Sequence, residues 1–163
     1  MPGAGLRDTL RACPGGGGRR PRGKRADSGD LRVTWRASDV LEQGTGICHA
    51  KAHALTALLR AEDIPTALCY QRLEYDEGQG HCVHGLIAVR FNGAWHRQDV
   101  RGNKEGVDAQ FSLDGERLAW VPQEGRGEVD YPGLYAAPHP DVVRALQEAP
   151  DRPHLWDALP DAL

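Results

Sequence analysis

The sequence predicts a single α+β domain in which a helix carrying a cysteine packs on an antiparallel sheet. Three stretches predict it. Residues 47–61 are mostly strong helix formers and follow a turn bracketed by Gly44 and Gly46. "HCVHGLIAVRF" is so apolar through Leu86, Ile87, Ala88 and Val89 that it reads as a strand covered on both faces. Asn92-Gly93 joins that strand to "AWHRQDV", and Asn-Gly between two strands is the strongest short signal for a two-residue type I′ hairpin. A chain of 163 residues holds one ordinary core and is too short for two comfortable ones.

Composition narrows the function classes. Four cysteines, at 13, 48, 69 and 82, lack the dense spacing of a disulfide scaffold, and no apolar run approaches the ~18 residues of a membrane span. The first thirty residues have no apolar core of a secretory leader, so a reducing, cytoplasmic setting is expected. They carry seven Lys/Arg against three Asp/Glu and leave the remaining chain acidic, at −7. Arg19 to Arg25 is basic but offers no aromatic for a base to stack on, so a solvated tail is expected and no nucleic-acid partner.

Taken in order, residues 1–30 form a Gly/Arg-rich tract that cannot bury apolar surface, so disorder is expected there. The domain proper spans 31–148. A short extended piece surrounds Val33 to Trp35, and Ser38 is placed to cap a brief helical turn over Val40 and Leu41. The cysteine helix presents Ile47, Ala50, Ala54, Leu55, Leu58 and Leu59 as a wide apolar face and ends at Pro65. "IPTALCYQRLEY", "HCVHGLIAVRF" and "AWHRQDV" are three strands. Asp114-Gly115 and the prolines at 122, 132, 138 and 140 predict turns, then a short helix near Val142 to Gln147, then a polar tail over 149–163.

The hairpin fixes a register with chemical consequences. If Phe91 faces Ala94, then Leu86 lies opposite Asp99, and His84, two residues from Leu86, shares its face. Asp99 is then one diagonal step from His84, about 7–8 Å between backbones and within side-chain reach. The same parity puts His96 opposite Val89 on the far face. A carboxylate bonded to an imidazole fixes its tautomer and leaves the other ring nitrogen to act as a base.

Cys48 supplies the matching nucleophile. It sits about three residues after Thr45, a candidate N-cap, where the helix start and a neighbouring imidazolium favour a thiolate below the ordinary value of about 8.5. Cys82 shares His84's face without a helix start behind it, and Cys69 lies in an apolar run, so both read as core residues. His49 and His53 are four apart on one helix face, which is either an ordinary polar face or part of a metal set with Cys82 or His84. Helical geometry turns both away from Cys48.

Cysteine at a helix start, histidine on a buried strand and aspartate on its hairpin mate, in that chain order, resembles the transglutaminase-like superfamily with its papain-like fold. "GTGICHAKAHALTALLRAEDIPT", "HGLIAVRFNGAWHRQD" and "VRGNK" carry the resemblance, which runs from about Leu31 to Val121 and reaches towards His139. It implies a Cys-His-Asp triad, carried over onto Cys48, His84 and Asp99, acting without a cofactor or metal on the amide or thioester carbonyl of a peptide or small amide. It also implies an oxyanion held by the Cys48 backbone N–H and a side-chain donor just before it, with Gln43 the nearest candidate and Trp35 the next. Family members carry more folded structure ahead of the cysteine, and the abrupt change at "GDLRVTWRASDV" points to a shifted reading frame or altered start before it. Two other classes compete with the enzyme: an inactive scaffold domain that keeps the triad as buried filler, and a metal protein built on Cys48, His49, His53 and His84.

Overall fold

The computed structural model describes residues 30–74, 80–103 and 106–163. The tract expected to be disordered therefore lies, Asp30 apart, outside the described residues. Helices α1 (Ala37–Gln43) and α2 (Cys48–Ala61) precede strands β1 (Thr66–Glu74), β2 (His81–Phe91) and β3 (Ala94–Gln98). A short strand β4 (Val129–Asp130) and helices α3 (Pro140–Glu148) and α4 (Arg152–Ala158) follow. The strands form one sheet in the order β3-β2-β1-β4, with every pairing antiparallel. The fold is α+β, with its cysteine helix on an antiparallel sheet as the sequence predicts.

The turn at Asn92-Gly93 sets the register of β2 on β3. Both residues have positive φ, 48° and 82°, as a type I′ turn requires. Phe91 faces Ala94 and Ile87 faces Gln98, which is the expected alignment. β2 is buried on both faces because each has its own cover. Val83, Ile87 and Val89 join Leu68 and Tyr70 of β1, Ile47 and Ala52 at the start of α2, and Val142, Leu146 and Leu155 of α3 and α4. Leu86 and Ala88 pack with Cys69 and Leu118 on the opposite face.

α2 lies close to β2 at one point. A Cβ on Gly85 would stand 3.1 Å from the Cα and 3.3 Å from the amide nitrogen of His49, closer than Cβ contacts usually come, so a larger residue would need the helix backbone to give. The expected apolar face is largely the packed one: Ile47, Ala50 and Ala54 are buried, and Leu55 and Leu59 pack against the core. The helix also buries Cys48, His49, Ala52, His53 and Thr56, whereas Leu58 is 47% exposed. The expected polar face at His49 and His53 is thus an interior one.

The helix boundaries differ from expectation for local reasons. α1 begins at Ala37 with Arg36 at the cap position, so Ser38 sits inside the first turn and donates to Asp39 Oδ1. α2 is capped by Ile47 rather than Thr45, whose hydroxyl instead accepts from the Arg152 guanidinium while its carbonyl accepts from Thr34 Oγ1. α2 ends before Pro65 is reached. Asp63 takes φ 57°, Asp63 N–H donates to Arg60 O, and Ile64 N–H donates back to Leu59 O, which satisfies the last carbonyls in a Schellman closure.

Where the sequence suggests a polar tail after residue 148, the structure has α4. Asp151 caps it by accepting from the His154 N–H, and Leu155 is fully buried. The buried Arg152 ties it to the front of the domain by donating to the Arg32 carbonyl and to Thr45. β4 and α4 went unforeseen because each takes its stability from tertiary contacts rather than from local periodicity. Among the described residues, no helix is long and apolar enough to cross a membrane.

Gly85→Ala tests the close approach. We expect a loss of about 1–3 kcal/mol, the usual cost of overpacking a core, read from urea unfolding with an unchanged m-value. A neutral substitution would mean that α2 can move away from β2.

Candidate active site

His84 lies mid-strand on β2, and its side chain and that of Asp99 are fully buried. Asp99 follows β3 directly, as the hairpin register predicts, and its Oδ2 stands 3.1 Å from His84 Nε2. Backbone donors complete the carboxylate shell: Arg101 N–H donates to Oδ1 at 2.9 Å and Ala119 N–H to Oδ2 at 3.2 Å. Burial works against the Asp99 charge, but the His84 charge and these hydrogen bonds outweigh it and hold the carboxyl below its ordinary range.

With Nε2 on Asp99, the ring nitrogen available to a thiol is Nδ1. It makes no hydrogen bond of regular geometry. Cys48 nevertheless lies close enough to act on the imidazole by both charge and hydrogen bonding. Burial disfavours the imidazolium, and Cys48 and Asp99 together overcome that cost and raise His84 well above its ordinary value. Cys48 is the first residue of α2, so the positive end of the helix dipole lies beside its sulfur. Cys48, His84 and Asp99, read from three separate stretches of sequence, are thus brought together.

The neighbours differ from expectation in one respect. His49, expected to be turned away from the thiol, places Nδ1 3.5 Å from Cys48 Sγ. Its ring is fully buried, 6.4 Å from that of Tyr70, and its Nε2 has no partner. The carboxylate that orients an imidazole as a base sits on His84, not on His49. His53 is held elsewhere, with Nδ1 donating to the Trp35 carbonyl at 2.8 Å, and burial lowers its pKa. Among the described residues, no group of three or more His, Cys, Asp and Glu could hold a metal ion.

Sequence reasoning gave no role to Trp120, Lys51 or Arg101, although the hairpin register places Arg101 opposite His84. The Trp120 ring stands edge to face with His84 at 5.2 Å, and the Arg101 guanidinium lies 4.3 Å over its centre. Together they cover the imidazole on the side of the loop after β3. Trp120 sits in a short apolar stretch, Leu118 to Pro122, without helix or strand periodicity, which gave no signal of a site. Lys51 was accessible to helical spacing, one turn after Cys48. Burial pushes its pKa down to about 8, opposed by Cys48 and assisted by Arg152 and Arg101.

The other sulfurs sit where the core reading put them. Cys69 packs with Leu86 and Ala88, and burial pushes its thiol up to about 12. Cys82 packs against Cys48 under Val100 and Trp156. Gln43 is the last residue of α1 and is exposed; Trp35 is half-buried and contributes its carbonyl to His53. A cavity of about 440 Å³ is lined by Gln71, Arg97, Glu116, Asp130 and Trp120 among others, and reaches the site only through Trp120.

Residues 22–100 match the family model described as the transglutaminase-like superfamily. The chain carries a transglutaminase-like domain. Its match starts ahead of Leu31, where the sequence motifs begin, and takes in Cys48, His84 and Asp99. No curated protein and no solved structure matches the chain significantly.

The two shifts at the transglutaminase-like pair predict a stability window. Asp99, lowered on folding, contributes fully above its unfolded value of about 3.9 and loses that contribution as pH falls through the folded value. His84, raised on folding, contributes fully below about 6.5 and loses it as pH climbs towards the folded value. The stability advantage of the native protein over Asp99→Asn should therefore be greatest between about pH 4 and 6.5 and shrink on both sides. Urea unfolding across pH checks this; an advantage that does not change with pH would mean the pair is uncharged.

Proposed function

We propose that this protein is a cysteine-dependent enzyme acting on amide or peptide carbonyls through Cys48, His84 and Asp99. The observation that carries the reading is the buried His84 Nε2 to Asp99 bond beside a thiol at a helix start. In this reading His84 takes the thiol proton and Asp99 holds the imidazole orientation while stabilising its charge. The thiolate attacks the carbonyl carbon. The Cys48 N–H, at the first helical position, donates to the oxyanion, with Gln43 as the side-chain donor. Imidazolium then protonates the departing ammonia or amine, and water resolves the thioester with His84 again as base. Hydrolysis is favoured over transfer to a second amine because water is the default acceptor wherever the site opens.

One observation favours the second reading, an inactive binding domain: Cys48 is only 1% exposed. A substrate carbonyl must reach a sulfur that Val100 and Trp156 now pack against. The enzyme reading therefore requires local opening, whereas the scaffold reading does not.

Thiol reactivity separates the two. We expect an electrophilic amide probe to label Cys48 at neutral pH, with an alkylation inflection below about 8.5, and Cys48→Ala to remove the label. Asp99→Asn should lower turnover by up to ~10⁴-fold, whereas Asp108→Asn, whose carboxylate pairs with Arg117 on the surface, should leave it unchanged. A single inflection near 8.5, or undiminished labelling of Cys48→Ala, would support the scaffold.

A further inference from the structure

Cys82 is a buried thiol to which the chemistry proposed above gives no part. It lies on β2 two residues before His84, on the same face, and its side chain packs against Cys48 in a small cluster that holds no other buried residue. Val100 and Trp156 close over the two sulfurs. Neither cysteine forms a disulfide. A cysteine side chain is one carbon and one sulfur long, so two that touch need little backbone travel to reach the ~3.5–4.5 Å Cβ separation of a disulfide.

We propose that Cys82 is a resolving thiol, which converts a peroxide-oxidised Cys48 into a Cys48–Cys82 disulfide and so switches the nucleophile off reversibly. The inference rests on the reading of Cys48 as a reactive thiolate. In the first step the Cys48 thiolate attacks one oxygen of a hydroperoxide. The O–O bond breaks, sulfur gives up two electrons, and Cys48 becomes a sulfenic acid while the other oxygen leaves as water or alcohol. In the second step the Cys82 sulfur attacks the Cys48 sulfur, the S–O bond breaks, and hydroxide leaves as water with the Cys82 proton. With hydrogen peroxide, two thiols and one oxidant give one disulfide and two waters.

The surroundings favour this pair over others. Cys69 lies in a different cluster with Leu86 and Ala88, and burial suppresses its ionisation. A hydroperoxide is also small enough to pass where a peptide requires α4 to move. Without Cys82, the sulfenic acid would persist beside His84 and oxidise further, irreversibly, to the sulfinic acid.

The test uses the reduced full-length protein and hydrogen peroxide in small molar excess, followed by intact mass, peptide mapping and iodoacetamide labelling. The expected product is ~2 Da lighter, carries a Cys48–Cys82 linked peptide, has lost Cys48 labelling and regains it with dithiothreitol. Cys82→Ser and Cys82→Ala should instead gain ~32 Da on Cys48 and not recover. Identical oxidation of native protein and both variants, or a disulfide through Cys13 or Cys69, would overturn the resolving role. Labelling before oxidation keeps the two readings apart. If Cys48 reacts no faster than Cys69, the nucleophile reading fails; fast labelling without the disulfide sinks the Cys82 role alone.

Discussion

An ionisable pair in a dry interior costs several kcal/mol per charge unless each charge is answered in place, and the architecture around β2 answers the His84–Asp99 pair. Asp99 has His84 on one oxygen and backbone N–H groups from Arg101 and Ala119 as further donors. Two of those donors come from segments after β3 that have no regular secondary structure. The loop through Ala119 and Trp120 is therefore held to the sheet by the same carboxylate that it shields. Removing either member would leave the other as an uncompensated buried charge, so the pair fixes loop position and imidazole orientation together on the register that the turn sets.

The second constraint is steric. Gly85 faces His49 across a gap too tight for a side chain unless the helix gives way, and it lies next to His84 on β2. Successive strand residues point to opposite faces, so Gly85 receives the helix on one face while His84 meets Asp99 on the other. The first turn of α2 is brought against β2 at the level of the imidazole, which is how a thiol on the helix comes to act on a ring of the sheet. Arg152 secures the same region from the front, because its bonds to Thr45 and the Arg32 carbonyl hold the turn that leads into Cys48.

Much of this was legible in the sequence because the decisive steps were local. A two-residue Asn-Gly turn permits one register, and parity then places Asp99 with His84 and excludes His96. Cys48 at a helix start needed only the glycine turn and the helix formers after it. What escaped was set by packing between distant segments. Thr45 had the chemistry of a cap yet is spent on Arg152, more than a hundred residues away. His49 read as turned from the thiol because helical angle was weighed without the side-chain reach that puts Nδ1 3.5 Å from the sulfur. Leu58 read as part of the apolar face, yet it is exposed while the other five positions of that face are buried or packed against the core. α4 was missed because its polar composition hides Leu155 and Arg152, whose burial depends on partners at the other end of the chain.

The burial of Cys48 then has a physical sense beyond packing. A thiolate beside an imidazolium is strengthened as water is excluded, because the same charges interact more strongly at low local dielectric. In the proposed enzyme the cover that provides this, Val100 and Trp156, is also what a large substrate would have to displace. α4 is a helix of seven residues with a single turn's worth of buried anchor at Leu155 and Arg152. Helices this short draw nearly all their stability from tertiary contact, so its opening costs less than opening the sheet. On the proposed reading, this cover would keep the thiol and imidazole dry at rest, and α4 would be the part of the site that opens at least cost.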